Sequence, residues 1–146
     1  MSHYQKILVT VDLNPAHDNQ VLKQAKALAA TNLNSLYVAH AVEPMTSYGT
    51  ASAFYAIADI ENEITQEHKA AIAKIVKEHN LSDSHIYVVT GSPSTAIPEL
   101  ASEVSADLIV VGSHEHHGLA ALLSSTADSL LHHAPCDVLA VKLKDC

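Results

Sequence analysis

The chain has few basic residues, and this scarcity excludes two classes of partner. Only 8 of its 146 residues are Lys or Arg, against 16 that are Asp or Glu, so the formal net charge is −8 at pH 7. No cluster of positive side chains offers the surface with which proteins bind nucleic acids or anionic lipids. The sequence therefore predicts neither nucleic acid nor membrane as a partner.

Cysteines and long apolar runs are scarce too. Cys136 and Cys146 are too few and too late in the chain for a disulfide framework. No apolar run approaches the roughly 20 residues of a membrane-spanning helix. The first residues lack the charged and apolar regions of a secretory signal. We expect a cytoplasmic protein with reduced cysteines, and the length fits a single domain over residues 1–146.

Short runs rich in Val, Ile and Leu alternate with longer amphipathic segments. Asn14-Pro15 and Ser92-Pro93 are typical helix starts, whereas Pro98 predicts a short or bent first turn in the third helix. Strands are predicted at residues 6–12, 35–42, 85–90, 107–111 and 137–142. Helices are predicted at residues 15–32, 57–80 and 119–133, with a further helix that starts at residue 93.

Strands with nearly continuous apolar sequence are typical of a parallel sheet covered on both faces. With right-handed crossovers, the pattern predicts an α/β fold, a doubly wound parallel sheet with helices on both faces. Ligands of such folds bind beyond the carboxyl ends of the strands, where the strand order reverses. The loops after the first and fourth strands are therefore the candidate ligand-binding loops.

Three stretches, "KILVTVDLN", "GSPSTAIPELASEVSADLIVVGSH" and "LLHHAPCDVLAVK", resemble the universal stress protein family over nearly the whole chain. The resemblance implies a five-stranded sheet of order 3-2-1-4-5, the adenine-nucleotide-hydrolase-like fold. It also implies a cytoplasmic homodimer paired through strand five, with a regulatory or protective stress role and no established catalysis.

A physical argument also favours pairing through strand five. In this order strand five is an edge, and its apolar run would otherwise expose unpaired backbone groups. The alternative is that the chain's own carboxyl-terminal tail covers the strand. The candidate interface residues are Val138, Leu139, Ala140, Val141 and Leu143.

One branch of the family resembles the pattern Gly, two residues, Gly, nine residues, Gly, then Ser or Thr, and binds ATP. Here Gly112 fits the first position, but Glu115 stands at the second and neither alignment of the end restores the third glycine. A carboxylate about 4 Å from a phosphate repels it by roughly 1–4 kcal/mol. The sequence is thus closer to the branch that lacks the ATP motif. If a nucleotide binds, the candidate residues are Asp12, Val42, Gly112, Ser113, Gly118, Ser124, Ser125 and Thr126.

Asp12 has two interpretations that the sequence leaves open. By resemblance, its carboxylate accepts a hydrogen bond from ribose or adenine, or meets a metal. By local chemistry, it forms an Asx-type turn that leads into the helix start at Asn14-Pro15.

Metal binding is the weaker alternative. His114, Glu115, His116 and His117 form a compact polar loop, but no zinc signature is present. The pair His132-His133 follows one helix later, roughly 22 Å away at 1.5 Å per residue, too far to share an ion. We therefore predict no metal. The 11 histidines also suggest a weaker hypothesis, that the chain senses pH. His40 within strand two is expected to be a structural residue.

No enzyme signature follows the first strand, since neither a Walker loop nor a Gly-x-Gly-x-x-Gly motif is present. A phosphorylation receiver is disfavoured because strand three ends without a carboxylate. The predicted function is a non-enzymatic, homodimeric stress protein that acts through an unknown protein partner without strong nucleotide binding. The alternative is an ATP-binding switch with a degenerate phosphate loop, with slow hydrolysis or autophosphorylation left open.

Overall fold

A computed structural model describes residues 4–29, 35–42, 51–81, 85–113 and 125–144, with side chains described from Asn62 in the second helix and from Ala127 in the fourth. None of the helices in these ranges is long and apolar enough to cross a membrane.

Five parallel strands form one sheet in the order β3-β2-β1-β4-β5, as the family resemblance implied. β1 lies at the centre, where Val9 pairs with Val38 on one side and with Val110 on the other. The strands are β1 (Ile7–Thr10), β2 (Leu36–Val42), β3 (Ile86–Thr90), β4 (Leu108–Ser113) and β5 (Asp137–Lys142).

Helices cover both faces of the sheet, which confirms the doubly wound fold. The first two helices pack with one apolar cluster, which includes Val9, Leu22 and Ile72. The last two pack with the opposite cluster, which includes Leu8 and Ile97. Because both faces of the sheet are covered, the central strands are apolar at successive positions instead of alternating between apolar and polar residues. The helices are α1 (Pro15–Ala29), α2 (Ala51–Glu78), α3 (Pro93–Val104) and α4 (Ser125–His133).

The helix starts follow the sequence signals. Pro15 opens α1, and Asn14 Oδ1 accepts a hydrogen bond from the N–H of Ala16 at 3.1 Å, which satisfies one of the free donors of the first turn. Pro93 opens α3, and Pro98 lies inside that helix without ending it. α4 begins at Ser125 in the described part of the chain; the earlier part predicted from residue 119 lies outside it.

Candidate functional site

A cavity of about 320 Å³ opens at the carboxyl ends of the central strands. β1 contributes Thr10 and Val11 to its wall, β2 contributes His40 and Ala41, and β4 contributes Gly112. Because β2 and β4 flank β1 on opposite sides, their crossovers leave β1 in opposite directions. The cavity therefore lies at the switch point where open α/β sheets bind ligands.

Asp12 lies at the rim of the cavity and forms the turn that local chemistry predicted. Its Oδ1 accepts the N–H of Asn14 at 2.9 Å, and its Oδ2 accepts Nδ1–H of His17 at 3.1 Å. Burial acts to raise the pKa of Asp12, but these hydrogen bonds outweigh burial and hold that pKa below its ordinary value. Its side chain is 55% exposed, so the ionised carboxylate also faces the ligand space.

The turn after β1 has an unusual backbone. Leu13 has φ 68°, the left-handed region that a branched side chain rarely occupies. Hydrogen bonds to Asn14 N–H and Asp12 N–H hold the chain on either side of Leu13. Such strain persists only where the surroundings determine the conformation, and it is concentrated at functional sites.

Asp18 is the buried carboxyl of the site, with 1% of its surface exposed. Its Oδ1 accepts the N–H of Asp12 at 2.9 Å, whereas its Oδ2 is buried without a hydrogen-bond partner among the described residues. Burial raises the pKa of Asp18 to about 7; the Asp12 N–H opposes this rise and the Asp12 charge adds to it. Asp18 therefore holds a proton at a pH where exposed carboxyls have lost theirs.

His40 lies on the opposite wall and is paired, as expected. Its Nδ1–H donates to the carbonyl oxygen of Val11 at 2.8 Å. Its ring meets that of His68 on α2 edge to face, with centroids 4.9 Å apart. Burial, with a smaller effect of His68, lowers the pKa of His40, so its ring is neutral at and above neutral pH.

Gly112 lines the cavity, but the side chain of Leu143, rather than a ligand, explains why this residue is a glycine. An added Cβ would lie 2.8 Å from Cδ1 and 3.2 Å from Cγ of Leu143. Leu143 is 9% exposed and lines the cavity as well, immediately beyond the end of β5. Its side chain thus covers Gly112 on the side where a Cβ would project.

The other predicted nucleotide contacts divide into two groups. Val42 and Ser113 are described but do not line the cavity. Their carbonyl oxygens accept the N–H groups of Gly91 and Leu143, at 2.8 and 2.9 Å respectively. Gly118 and Ser124 lie outside the described residues, as does the whole segment 114–124, and Ser125 and Thr126 are described only as backbone at the start of α4.

The predicted interface strand β5 lies at the sheet edge, paired on one side with β4. Leu139 and Val141 pack toward one apolar cluster, while Val138 and Ala140 pack toward the other. All four are half-buried, but Leu143 is buried in the chain's own core.

Metal ligands are not assembled in this part of the chain: within the described ranges, no group of three or more His, Cys, Asp or Glu residues could hold an ion. The loop of residues 114–117, which the sequence offered as a ligand set, lies outside those ranges. On α4, His132 is near Asp128, with Nε2 and Oδ1 3.5 Å apart, and His133 contacts the carbonyl of Ser129 at 2.9 Å.

Sequence reasoning missed His17 and Asp18. A signal was present for Asp18, because it precedes Val21, Leu22 and Ala25 at the spacing of one helix face. All four side chains are buried. A carboxylate that continues an apolar stripe into a helix start is therefore a sign of a buried polar site.

The sheet order and the helices on both of its faces define a protein of the doubly wound α/β class. The chain belongs to the universal stress protein family, whose profile matches residues 3–142. It is 42% identical over 144 residues to universal stress protein A homolog 2 of Coxiella burnetii, covering 99% of each chain.

Solved structures agree with the fold. Universal stress protein UspA from Lactobacillus plantarum superposes with a TM-score of 0.74 at 22% identity, over 97% of this chain and 99% of that one. A universal stress protein crystallised in complex with cAMP matches at 30% identity and a TM-score of 0.57, over 98% of this chain and 100% of that one.

Proposed function

We propose that this chain is a non-enzymatic cytoplasmic stress protein whose cavity binds an adenine nucleotide, preferably one with a single phosphate. The carrying observation is the cavity at the sheet's switch point, with the Asp12 carboxylate at its rim. The relative that was crystallised with cAMP supports the choice of ligand class.

The size and lining of the cavity suit a base with its ribose. About 320 Å³ is at the lower end of the 300–1,000 Å³ typical of small-molecule sites. Val21 and Ile97 provide apolar walls, and Asp12 provides the exposed acceptor. Each oxygen of the Asp12 carboxylate already accepts one hydrogen bond and retains a second lone pair, enough to accept from a ribose hydroxyl or the adenine amino group.

The part of the cavity near Gly112, where phosphates would lie, favours a nucleotide with a short phosphate chain. Phosphates bind where backbone N–H groups are bare, and Leu143 covers Gly112 on one side. The sequence adds Glu115 where the ATP pattern has glycine. The base and ribose therefore supply most of the binding, in keeping with the prediction that ATP is not bound strongly.

Calorimetric titration of nucleotide-free protein with cAMP, AMP and Mg-ATP tests the proposal. Ala41→Leu fills the cavity wall and is expected to weaken cAMP binding by about ten-fold or more, equivalent to 1.4 kcal/mol. The matched control is Ala27→Leu, which adds the same side chain at an exposed position of α1. Absence of cAMP and AMP binding at millimolar concentration, or equal affinity of the two variants, would contradict the cavity as the site.

A second proposal concerns assembly: β5 pairs with β5 of another copy, and this surface or a further protein partner carries the stress response. The supporting observation is that β5 is an edge strand of six residues with four half-buried apolar side chains. A paired partner strand would satisfy the outer backbone groups that an edge leaves open.

Light scattering across a concentration series tests the pairing. The expected mass is twice the chain's 15.6 kDa, and Ala140→Lys, which places a charge on the edge strand, is expected to return it to one chain. Leu131→Ser is the control, because Leu131 is 46% exposed and belongs to α4 rather than to the edge strand. A wild-type monomer at high concentration would overturn the pairing.

A further inference from the structure

We propose that the Asp18 carboxyl positions the Asp12 turn of the cavity and makes ligand binding there depend on a proton. This inference rests on the proposed nucleotide site and adds a regulator to it. It concerns a residue on α1 that no part of the nucleotide pattern contains.

The first observation is geometric. Asp18 lines the cavity, and its Oδ1 accepts the N–H of Asp12, the residue whose carboxylate faces the ligand. Between Asp12 and Asn14 the chain passes through the left-handed conformation of Leu13. The bond from Asp12 N–H to Asp18 is thus one of the restraints that hold a strained turn in place. Asp18 therefore acts on a ligand through the turn that it holds, which makes it a positioning residue.

The second observation is the missing partner of Oδ2. A neutral carboxyl keeps its Oδ1 as the acceptor for Asp12 N–H and buries a hydroxyl at Oδ2. An ionised Asp18 carboxyl buries a negative charge close to the negative charge of Asp12. Its Oδ2 then has no hydrogen-bond donor among the described residues. Buried charges are tolerated only when they are paired and hydrogen-bonded. Ionisation therefore favours a rearranged or hydrated turn.

Other titratable groups face Asp18 from the elements around it. Asp12 lies on the turn, His17 on α1 and His40 on β2. Lys144 is joined to α1 through its backbone, with its carbonyl and N–H bonded to the Gln20 amide at 2.8 and 2.9 Å. The pKa of Asp12 is held low and that of His40 is lowered, so Asp12 stays ionised and His40 neutral above neutral pH.

Both effects of ionisation act in the same direction on an anionic ligand. Loss of the proton releases the turn that presents Asp12, and it adds negative charge to a cavity that would hold a phosphate. Because burial raises the pKa of Asp18 to about 7, the protonated fraction changes across the neutral range. Affinity is then expected to fall as pH rises through that range.

Binding of cAMP between pH 6 and 8.5 tests the inference, because cAMP itself carries no group that titrates there. If only the protonated form binds, the wild-type affinity falls about thirty-fold over this range. Asp18→Asn, which keeps an acceptor oxygen and cannot ionise, is expected to bind at pH 8.5 as the wild type does at pH 6. The amide NMR signals of Asp12 and Leu13 in the wild type should shift with the same midpoint.

Two controls separate Asp18 from other titrations. Asp128→Asn makes the same chemical change at an exposed carboxyl of α4 and should leave the pH profile unchanged. His17→Gln removes the imidazole bonded to Asp12 and should keep the dependence on pH.

Three results would overturn the inference. The first is a flat wild-type profile with measurable affinity, which leaves the nucleotide site intact. The second is a carboxyl carbon of Asp18 that titrates near pH 4 by NMR, a measurement on the wild type that needs no variant to fold. The third is failure of cAMP to bind at any pH, which overturns the nucleotide site as well.

Discussion

Leu143 covers the α-carbon of Gly112 so closely that any side chain at position 112 must displace it. Gly112→Ala is expected to destabilise the fold by about 1–3 kcal/mol, the usual cost of overpacking a core. Chemical denaturation measures the change as a lower midpoint.

Substitution of Leu143 tests whether its contact with Gly112 causes the loss of stability. Leu143→Ala removes the crowded methyl groups, so the double variant should show a favourable coupling of about 0.5–3 kcal/mol in a mutant cycle. Additive effects of the two substitutions would show that the strain at Gly112 arises elsewhere.

Asp18 is also expected to make the stability of the fold depend on pH, which can be tested without a ligand. In the unfolded chain its carboxyl has an ordinary pKa of 3.8, whereas burial raises the pKa to about 7 in the fold. Between these values only the folded chain holds the proton, so its contribution to stability is complete below pH 3.8 and is lost as pH rises through about 7.

Asp18→Asn should therefore gain stability relative to the wild type as pH increases. The gain approaches at most about 4 kcal/mol at pH 8, at 1.36 kcal/mol for each pKa unit. Thermal melts from pH 4 to 8.5 measure it, with Asp128→Asn as the exposed control. A constant difference between Asp18→Asn and the wild type at all pH values would be inconsistent with a buried, titrating carboxyl.

At the scale of elements, two helices end in a left-handed residue that is not glycine. Ser105 after α3 has φ 59°, and Asn80 after α2 has the same φ. The N–H of Ser105 is bonded to the carbonyl of Ser102, so the turn itself is well formed. The two ends differ mainly in the side chain, because asparagine tolerates this conformation and serine does so less readily.

Ser105→Gly is accordingly expected to raise the free energy of unfolding by about 0.4–1 kcal/mol. Asn80→Gly is the matched change at the other helix end and should gain less. Equal gains, or a loss for Ser105→Gly, measured by urea denaturation would contradict this comparison.

The elements were also what the sequence predicted best. Apolar runs bounded by turn residues located all five strands, and their order agrees with the resemblance to universal stress proteins. The site was predicted less completely, because Asp18 and His17 stand inside a helix pattern and meet Asp12 only when the turn after β1 folds back. Gly112, a predicted nucleotide contact, lines the cavity, but its contact with Leu143 joins residues 31 positions apart and leaves no local pattern.

At the scale of the whole molecule, burial is concentrated on β1 and β4, two of the three inner strands. Ile7, Leu8 and Val9 of β1 are fully buried, as are Ile109 and Val110 of β4, whereas β3 and β5 are half-buried throughout or exposed at their ends. Local opening costs least where apolar contacts are fewest.

Hydrogen exchange monitored by NMR should therefore be slowest in β1 and β4 and faster in β3. Adding protein should selectively slow exchange in β5 if that strand pairs with another copy. β3 amides that outlast those of β1 would contradict the predicted ranking of local stability.

Leu143 is a buried residue that connects the edge strand with the cavity. It follows directly on β5, the edge proposed for assembly, and its side chain packs on Gly112 in the wall of the cavity. A nucleotide phosphate that approached Gly112 from this side would displace Leu143 and hence the last residues of the edge strand. Thermodynamic reciprocity then requires that a partner chain change nucleotide affinity by the same factor by which the nucleotide changes association of the two copies.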